Sequence, residues 1–179
     1  MMNRRKLSRL HRTRRAASLV EVAMASLLVG VLLVAALNSV GARLRHQAML
    51  TDRQHAHLLA EELLAEVLQH RYEDPDEAPV FGVESSESGG TRAPFDDVDD
   101  YHSWDQSPPQ DRAGTPMTNG SRWRRTVSVE YVLANDMTTT SGSDQGIKRV
   151  TVTVFLDDEP IVSVVGIRSR AWEDACATY

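Results

Sequence analysis

Four carboxylates fall within five positions in the run Phe95-Asp96-Asp97-Val98-Asp99-Asp100-Tyr101-His102, and Trp104-Asp105 follows closely. Packed so tightly they repel one another, and a hard cation would relieve the repulsion. Ca²⁺ takes six to eight oxygens at about 2.3–2.6 Å. Asp96, Asp97, Asp99 and Asp100 are therefore candidate calcium ligands, and calcium is the one cofactor the sequence suggests. The spacing is not that of an EF-hand, because no glycine and no terminal glutamate follow in register. The plainer reading is a solvated acidic turn whose aromatic neighbours pin it to a sheet. A second acid stands out for its surroundings: Glu21 lies one turn inside an otherwise apolar run, where a carboxylate is expensive to bury.

The remaining reactive side chains form no catalytic pattern. His46, His55, His57 and His70 share one presumed helix without an HExxH motif or a paired four-residue spacing, so they read as solvated. Ser103 beside His102 lacks the GxSxG context of a hydrolase nucleophile. No glycine-rich phosphate loop and no CxxC pair occurs, and no enzyme is expected. Cys176 is the single cysteine and reads as a tail residue, since one thiol makes no intrachain disulfide. Arg122, Arg124 and Arg125 flank Trp123. That cluster could meet a nucleic-acid strand through charge and stacking, but it reads better as the polar edge of a strand pairing with nearby acids.

Charge is divided unevenly. Residues 1–16 carry Arg4, Arg5, Lys6, Arg9, Arg12, Arg14 and Arg15 and no acid. Without those seven, 13 basic residues face 25 acidic ones, so the formal net charge moves from -5 to near -12. An exterior this acidic makes nucleic acid an improbable partner, because phosphate binding needs basic surface. The basic leader is expected to stay cytoplasmic by the positive-inside rule.

From Leu19 to Val40 the chain is apolar apart from Glu21, Ser26, Asn38 and Ser39. At about 1.5 Å per residue this run matches a hydrocarbon core of about 30 Å. A single-pass inner-membrane protein with an exported C-terminal domain is the expectation. The anchor could be cleaved at its start, left uncut, or removed as a secretory signal after Val40-Gly41-Ala42. Beyond Ala42, Ala56, Leu59, Ala60, Leu63, Leu64, Val67 and Leu68 recur at helical steps and form one apolar stripe. Arg45, Asp52, Arg53, Glu61, Glu62 and Glu66 occupy the other face. One helix is predicted from about Ser18 to about His70, ended by Asp74-Pro75.

Residues 73–121 are rich in proline, glycine and acids and read as a long loop, most mobile between Glu84 and Arg92. The last third alternates as β-strand. Trp123, Arg125, Val127, Val129, Tyr131 and Leu133 form one strand, and Val150, Val152, Val154 and Leu156 a second. A turn at Asp157-Asp158-Glu159-Pro160 leads to a third strand from Ile161 to Val165. Asn135 to Gly146 is expected to be a loop. The fold class is α+β, with a small antiparallel sheet packed on the amphipathic half of the helix.

The stretch Ala16-Ala17-Ser18-Leu19-Val20-Glu21-Val22 after a basic leader resembles the class III signal of type IV prepilins and type II secretion pseudopilins. With Ala17 as the first mature residue, Glu21 is the fifth, as in that family. Ala16 and Ala17 stand where the family usually has Gly and Phe. The resemblance implies a pilin-like fold, cleavage between Ala16 and Ala17 by a prepilin peptidase, and N-methylation of Ala17. It also implies that Glu21 pairs with the α-amino group of a neighbouring subunit during assembly. The implied partners are the peptidase, other pilin or pseudopilin subunits, the assembly platform and the inner membrane. The segment Leu59 to Glu66 looks like the helix of minor pseudopilins. The run Phe95 to Tyr101 is similar to one in minor pilins of the mannose-sensitive haemagglutinin type. The expected layout is a leader at 1–16, a membrane and filament-core helix at 17–42 and its amphipathic continuation at 43–72. An acidic loop at 73–121, a sheet at 122–170 and a tail at 171–179 follow. The competing expectation is a signal-anchored or secreted binding module whose acidic loop holds calcium or another ligand.

Overall fold

The computed structural model describes residues 18–74 and 80–177. It divides into two units, Met1–Ala48 and Met49–Tyr179. Helix α1 spans Leu19–Gln69, within a residue of the sequence expectation at each end. It stops five residues short of Asp74-Pro75. The chain is instead drawn off by tertiary bonds: Val98 N–H donates to the Arg71 carbonyl (3.1 Å) and Tyr72 N–H to Glu173 (2.6 Å).

The second unit is built around an antiparallel sheet. Its strands are β1 (Asp105–Gln106), β2 (Trp123–Leu133), β3 (Asp136–Thr140), β4 (Ile147–Leu156) and β5 (Glu159–Ser169), ordered β1-β2-β4-β5 with β3 paired to β2. Helix α2 (Arg170–Ala177) follows. Ala56, Leu59, Ala60, Leu63 and Val67 of α1 are buried, with Leu64 and Leu68 packed against them, as the stripe requires. They meet Val127 and Val129 of β2 and Val150, Val152 and Val154 of β4, all on the inner pleat. Helix side chains come close to the sheet at Gly166 of β5. A Cβ there would lie 2.8 Å from Leu68 Cδ1 and 2.9 Å from Leu64 Cδ1.

Four sequence expectations are corrected. The Asn135–Gly146 loop contains β3, a fully exposed strand with no apolar alternation to reveal it. The turn after β4 is only Asp157-Asp158, both at positive φ (51° and 66°) as a two-residue type I′ hairpin demands, so β5 begins at Glu159. In β2 the inward alternation slips after Val129: Val132 is buried, whereas Tyr131 and Leu133 are half-buried. Residues 171–177 of the expected tail belong to α2. That helix is tied down, since Glu173 accepts from Tyr72 N–H and Arg170 pairs with Glu73 and with Asp144 (2.6 Å).

Candidate functional site

Two features stand apart from the core. The first is the N-terminal part of α1. Its apolar side chains are open, from Leu19 (86 % exposed) to Leu37 (71 % exposed), and its most apolar 18 residues have a mean hydropathy of 2.5. This is one helix long and apolar enough to cross a membrane. Within it Ser26 bonds back to the Val22 carbonyl (2.9 Å), which satisfies the hydroxyl inside the helix. Glu21 occupies the first turn, where the helix dipole favours a negative charge. Ala16 and Ala17 lie outside the described residues.

The second feature is the acidic loop. It was expected to be solvated and mobile between Glu84 and Arg92, yet Glu84, Glu87, Arg92, Asp97, Asp99 and Asp100 are all buried. Buried charge persists only where partners compensate it, and most of these groups have them. Arg92 makes a two-pronged bond to Glu66 (2.8 and 3.0 Å), donates to the Gln110 carbonyl (3.2 Å) and lies over the Trp104 ring. Glu66, expected on the solvent face, is thereby drawn into the loop contact and also accepts from Tyr101 Oη (3.0 Å). Burial pushes its acidity the other way, but Arg92 prevails and holds the carboxyl below the usual range. Lys148 pairs with Asp99 and donates to the Tyr72 carbonyl.

The four aspartates have separate fates. Asp97 Oδ1 accepts from the amides of Asp99 (2.7 Å) and Asp100 (3.3 Å), the turn-capping arrangement of an Asx motif. Burial, reinforced by Asp99, pushes Asp97 up to about 8. Asp99 takes Lys148 and the Gly82 amide (3.1 Å). Asp96 is half-buried. Asp100 Oδ2 accepts from the amides of Asp96 and Asp97, both at 3.0 Å. Its carboxylate also lies near two acids that the sequence pattern does not single out. Glu84, Glu87 and Asp100 each place a ligand atom within 4.8 Å of the others. Only Asp100, and not Asp96, Asp97 or Asp99, belongs to this group. Burial, with Asp100 and Glu84 nearby, pushes Glu87 up to about 9, and Glu84 is raised by burial as well. The one signal in the sequence was the three-residue step from Glu84 to Glu87, lost within a Ser/Gly-rich segment that reads as solvent-exposed.

The remaining candidates are structural. Arg122 pairs with Asp157, and Arg124 with Asp105 (3.0 Å) and Asp158 (3.4 Å), as a polar strand edge should. Arg125 departs from that expectation. It is buried and donates to the carbonyls of Leu59 (3.3 Å) and Gln110 (2.6 Å), joining β2, the helix and the loop. His46, His55 and His57 are exposed, whereas His70 is half-buried against Tyr101 Oη (3.1 Å). His102 Nδ1 accepts from Val129 N–H (3.2 Å). Ser103, at φ 63°, marks a turn. No protein-family model, curated protein or solved structure matches the chain.

Proposed function

We propose that this chain is a minor pilin or pseudopilin subunit, which works by assembly and not by catalysis. The observation that carries the reading is α1. Its first part offers a continuous apolar surface that no described residue of its own unit covers, with one acid in the first turn. Its last part carries the stripe that closes a small antiparallel sheet. An open apolar surface of this extent marks a membrane or helix-packing site. The leader's charge sets the N-terminus in the cytoplasm. A prepilin peptidase would cut between Ala16 and Ala17, and the chain would then pass from the inner membrane into a type IV pilus or a type II secretion pseudopilus. In a low-dielectric filament core, Glu21 and a neighbour's Ala17 amine attract strongly, and neither charge is tolerable alone.

The test is the N-terminus of the protein purified from its native membrane. Intact mass and N-terminal sequencing are expected to show a chain starting at N-methyl-Ala17. A start at Arg43, or an uncut leader, would overturn the reading. The variant Glu21→Ala is expected to insert in the membrane normally and to be lost from sheared filaments.

A further inference from the structure

The geometry points to a calcium-sized divalent cation site formed by Glu84, Glu87 and Asp100. The inference goes beyond the assembly reading and does not depend on it.

Acids gathered on a surface mean little, but these three are inside. Glu84 is 8 % exposed, Glu87 7 % and Asp100 1 %. Each has one buried carboxylate oxygen, Glu84 Oε1, Glu87 Oε2 and Asp100 Oδ1, that accepts no hydrogen bond among the described residues. An unsatisfied buried acceptor is costly, and these three belong to carboxylates that each place an oxygen within 4.8 Å of the others. Elsewhere in the same loop every buried acid has a donor: Asp97 takes two amides, while Asp99 takes Lys148 and the Gly82 amide. The contrast is local and chemical. The groups that act on Glu87 are Asp100, Glu84 and Asp96, all acids.

The backbone prearranges the group. Glu87 N–H donates to the Glu84 carbonyl (3.1 Å), closing a turn that puts both glutamates on one side. Asp100 is the middle residue of a short 3₁₀ turn, Asp99–Tyr101, and its Oδ2 is fixed by two amides, while its Oδ1 accepts no hydrogen bond among the described residues. Two oxygens bound to one ion at about 2.4 Å lie at most about 4.8 Å apart. The three ligand atoms meet that limit, and an all-oxygen, all-carboxylate donor set selects a hard cation. Mg²⁺, at about 2.0–2.1 Å, demands a tighter octahedron, whereas Ca²⁺ accepts irregular sets. The ion would tie the segment at 82–90 to the Asp99–Tyr101 turn, giving an otherwise irregular loop a reason to fold inward.

The test uses the full chain in detergent micelles, stripped with chelator and dialysed. Titration with Ca²⁺ to about 10 mM covers the about 10⁻⁴–10⁻³ M affinities of extracellular calcium modules. The expected result is one Ca²⁺ per chain by equilibrium dialysis, a higher thermal midpoint, and protection against Glu-specific proteolysis after Glu84 and Glu87. Glu84→Gln with Glu87→Gln should abolish binding while leaving the metal-free midpoint unchanged or raised, because the repulsion goes with the charge. A misfolded variant would instead lower it. Asp100→Asn keeps both cleavage sites and should make proteolysis insensitive to calcium. Asp158→Asn, at an exposed acid outside the group, should bind like the parent. No calcium binding by the parent, or binding that survives the double substitution, would overturn the inference. Equal stabilisation by Mg²⁺ would overturn the assignment of ion size.

Discussion

Arg92 is 2 % exposed, and its guanidinium joins the acidic loop to the helix through Glu66. Arg92→Met would leave the Glu66 carboxylate half-buried without its cation, and breaking such a pair costs about 3–5 kcal/mol. Chemical denaturation should show a loss of this size, and adding Glu66→Leu should recover most of it, because an apolar pair need not be desolvated. His70 supplies a pH dependence. Burial, with the Arg112 guanidinium nearby, holds its imidazole below the ordinary 6.5, while a hydrogen bond to the Asp96 backbone and the carboxylates of Glu66 and Asp100 act the other way. At His70 the folded state therefore binds fewer protons than the unfolded one in the range just below pH 6.5. The contribution of this residue to stability should fall as pH drops through that range and return as it rises, against the opposite contribution of the raised carboxyls Asp97 and Glu87. Thermal midpoints of the parent and His70→Gln, compared from pH 7 to pH 5, should diverge, with the variant losing less. Parallel curves would rule the residue out.

Among the elements, the seam between α1 and β5 is close at Gly166. Gly166 faces the ends of Leu64 and Leu68, so an added methyl displaces only rotatable termini, whereas a branched side chain must push the helix away. Gly166→Ala should be nearly neutral, and Gly166→Val should cost about 1–3 kcal/mol by overpacking. On the helix side, Leu63 is fully buried, and Leu63→Ala should cost about 2–5 kcal/mol. Both are readable from denaturant midpoints at constant slope. These elements were legible because they obey the periodicities of burial: the α1 stripe repeats at helical steps, and β4 alternates from Ile147 to Phe155. What escaped was burial that breaks the rule. Arg92, Arg125 and Lys148 are cations in sequence and core in structure, and their acceptors lie far along the chain: Lys148 meets Asp99 and the Tyr72 carbonyl, Arg125 the Leu59 carbonyl. No local pattern encodes such partners. The same holds for Glu84 and Glu87, which look like solvent residues until Asp100 is brought beside them by a turn over ten residues away. Strand β3 was missed because an exposed hairpin arm needs no apolar face.

At the scale of the molecule, every buried hydrophobic residue of the core, from Ala56 to Val154, lies in the unit Met49–Tyr179. A chain beginning at Met49 should therefore fold without its apolar helix and melt in one cooperative transition by circular dichroism; a broad, non-cooperative melt would show that the anchor contributes to the core. One property of that domain follows from its strand order. β5 is the last strand of the sheet, eleven residues long, and its open face carries Val165, 57 % exposed. A terminal strand of that length is a template on which another backbone can hydrogen-bond. Pro160 near its start and Arg168 near its end act as gatekeepers, but the stretch between them bears no charge. Concentrated preparations should thus self-associate along this margin, which should set the solubility ceiling of the domain. Val165→Lys should raise that ceiling in light scattering without altering the melt.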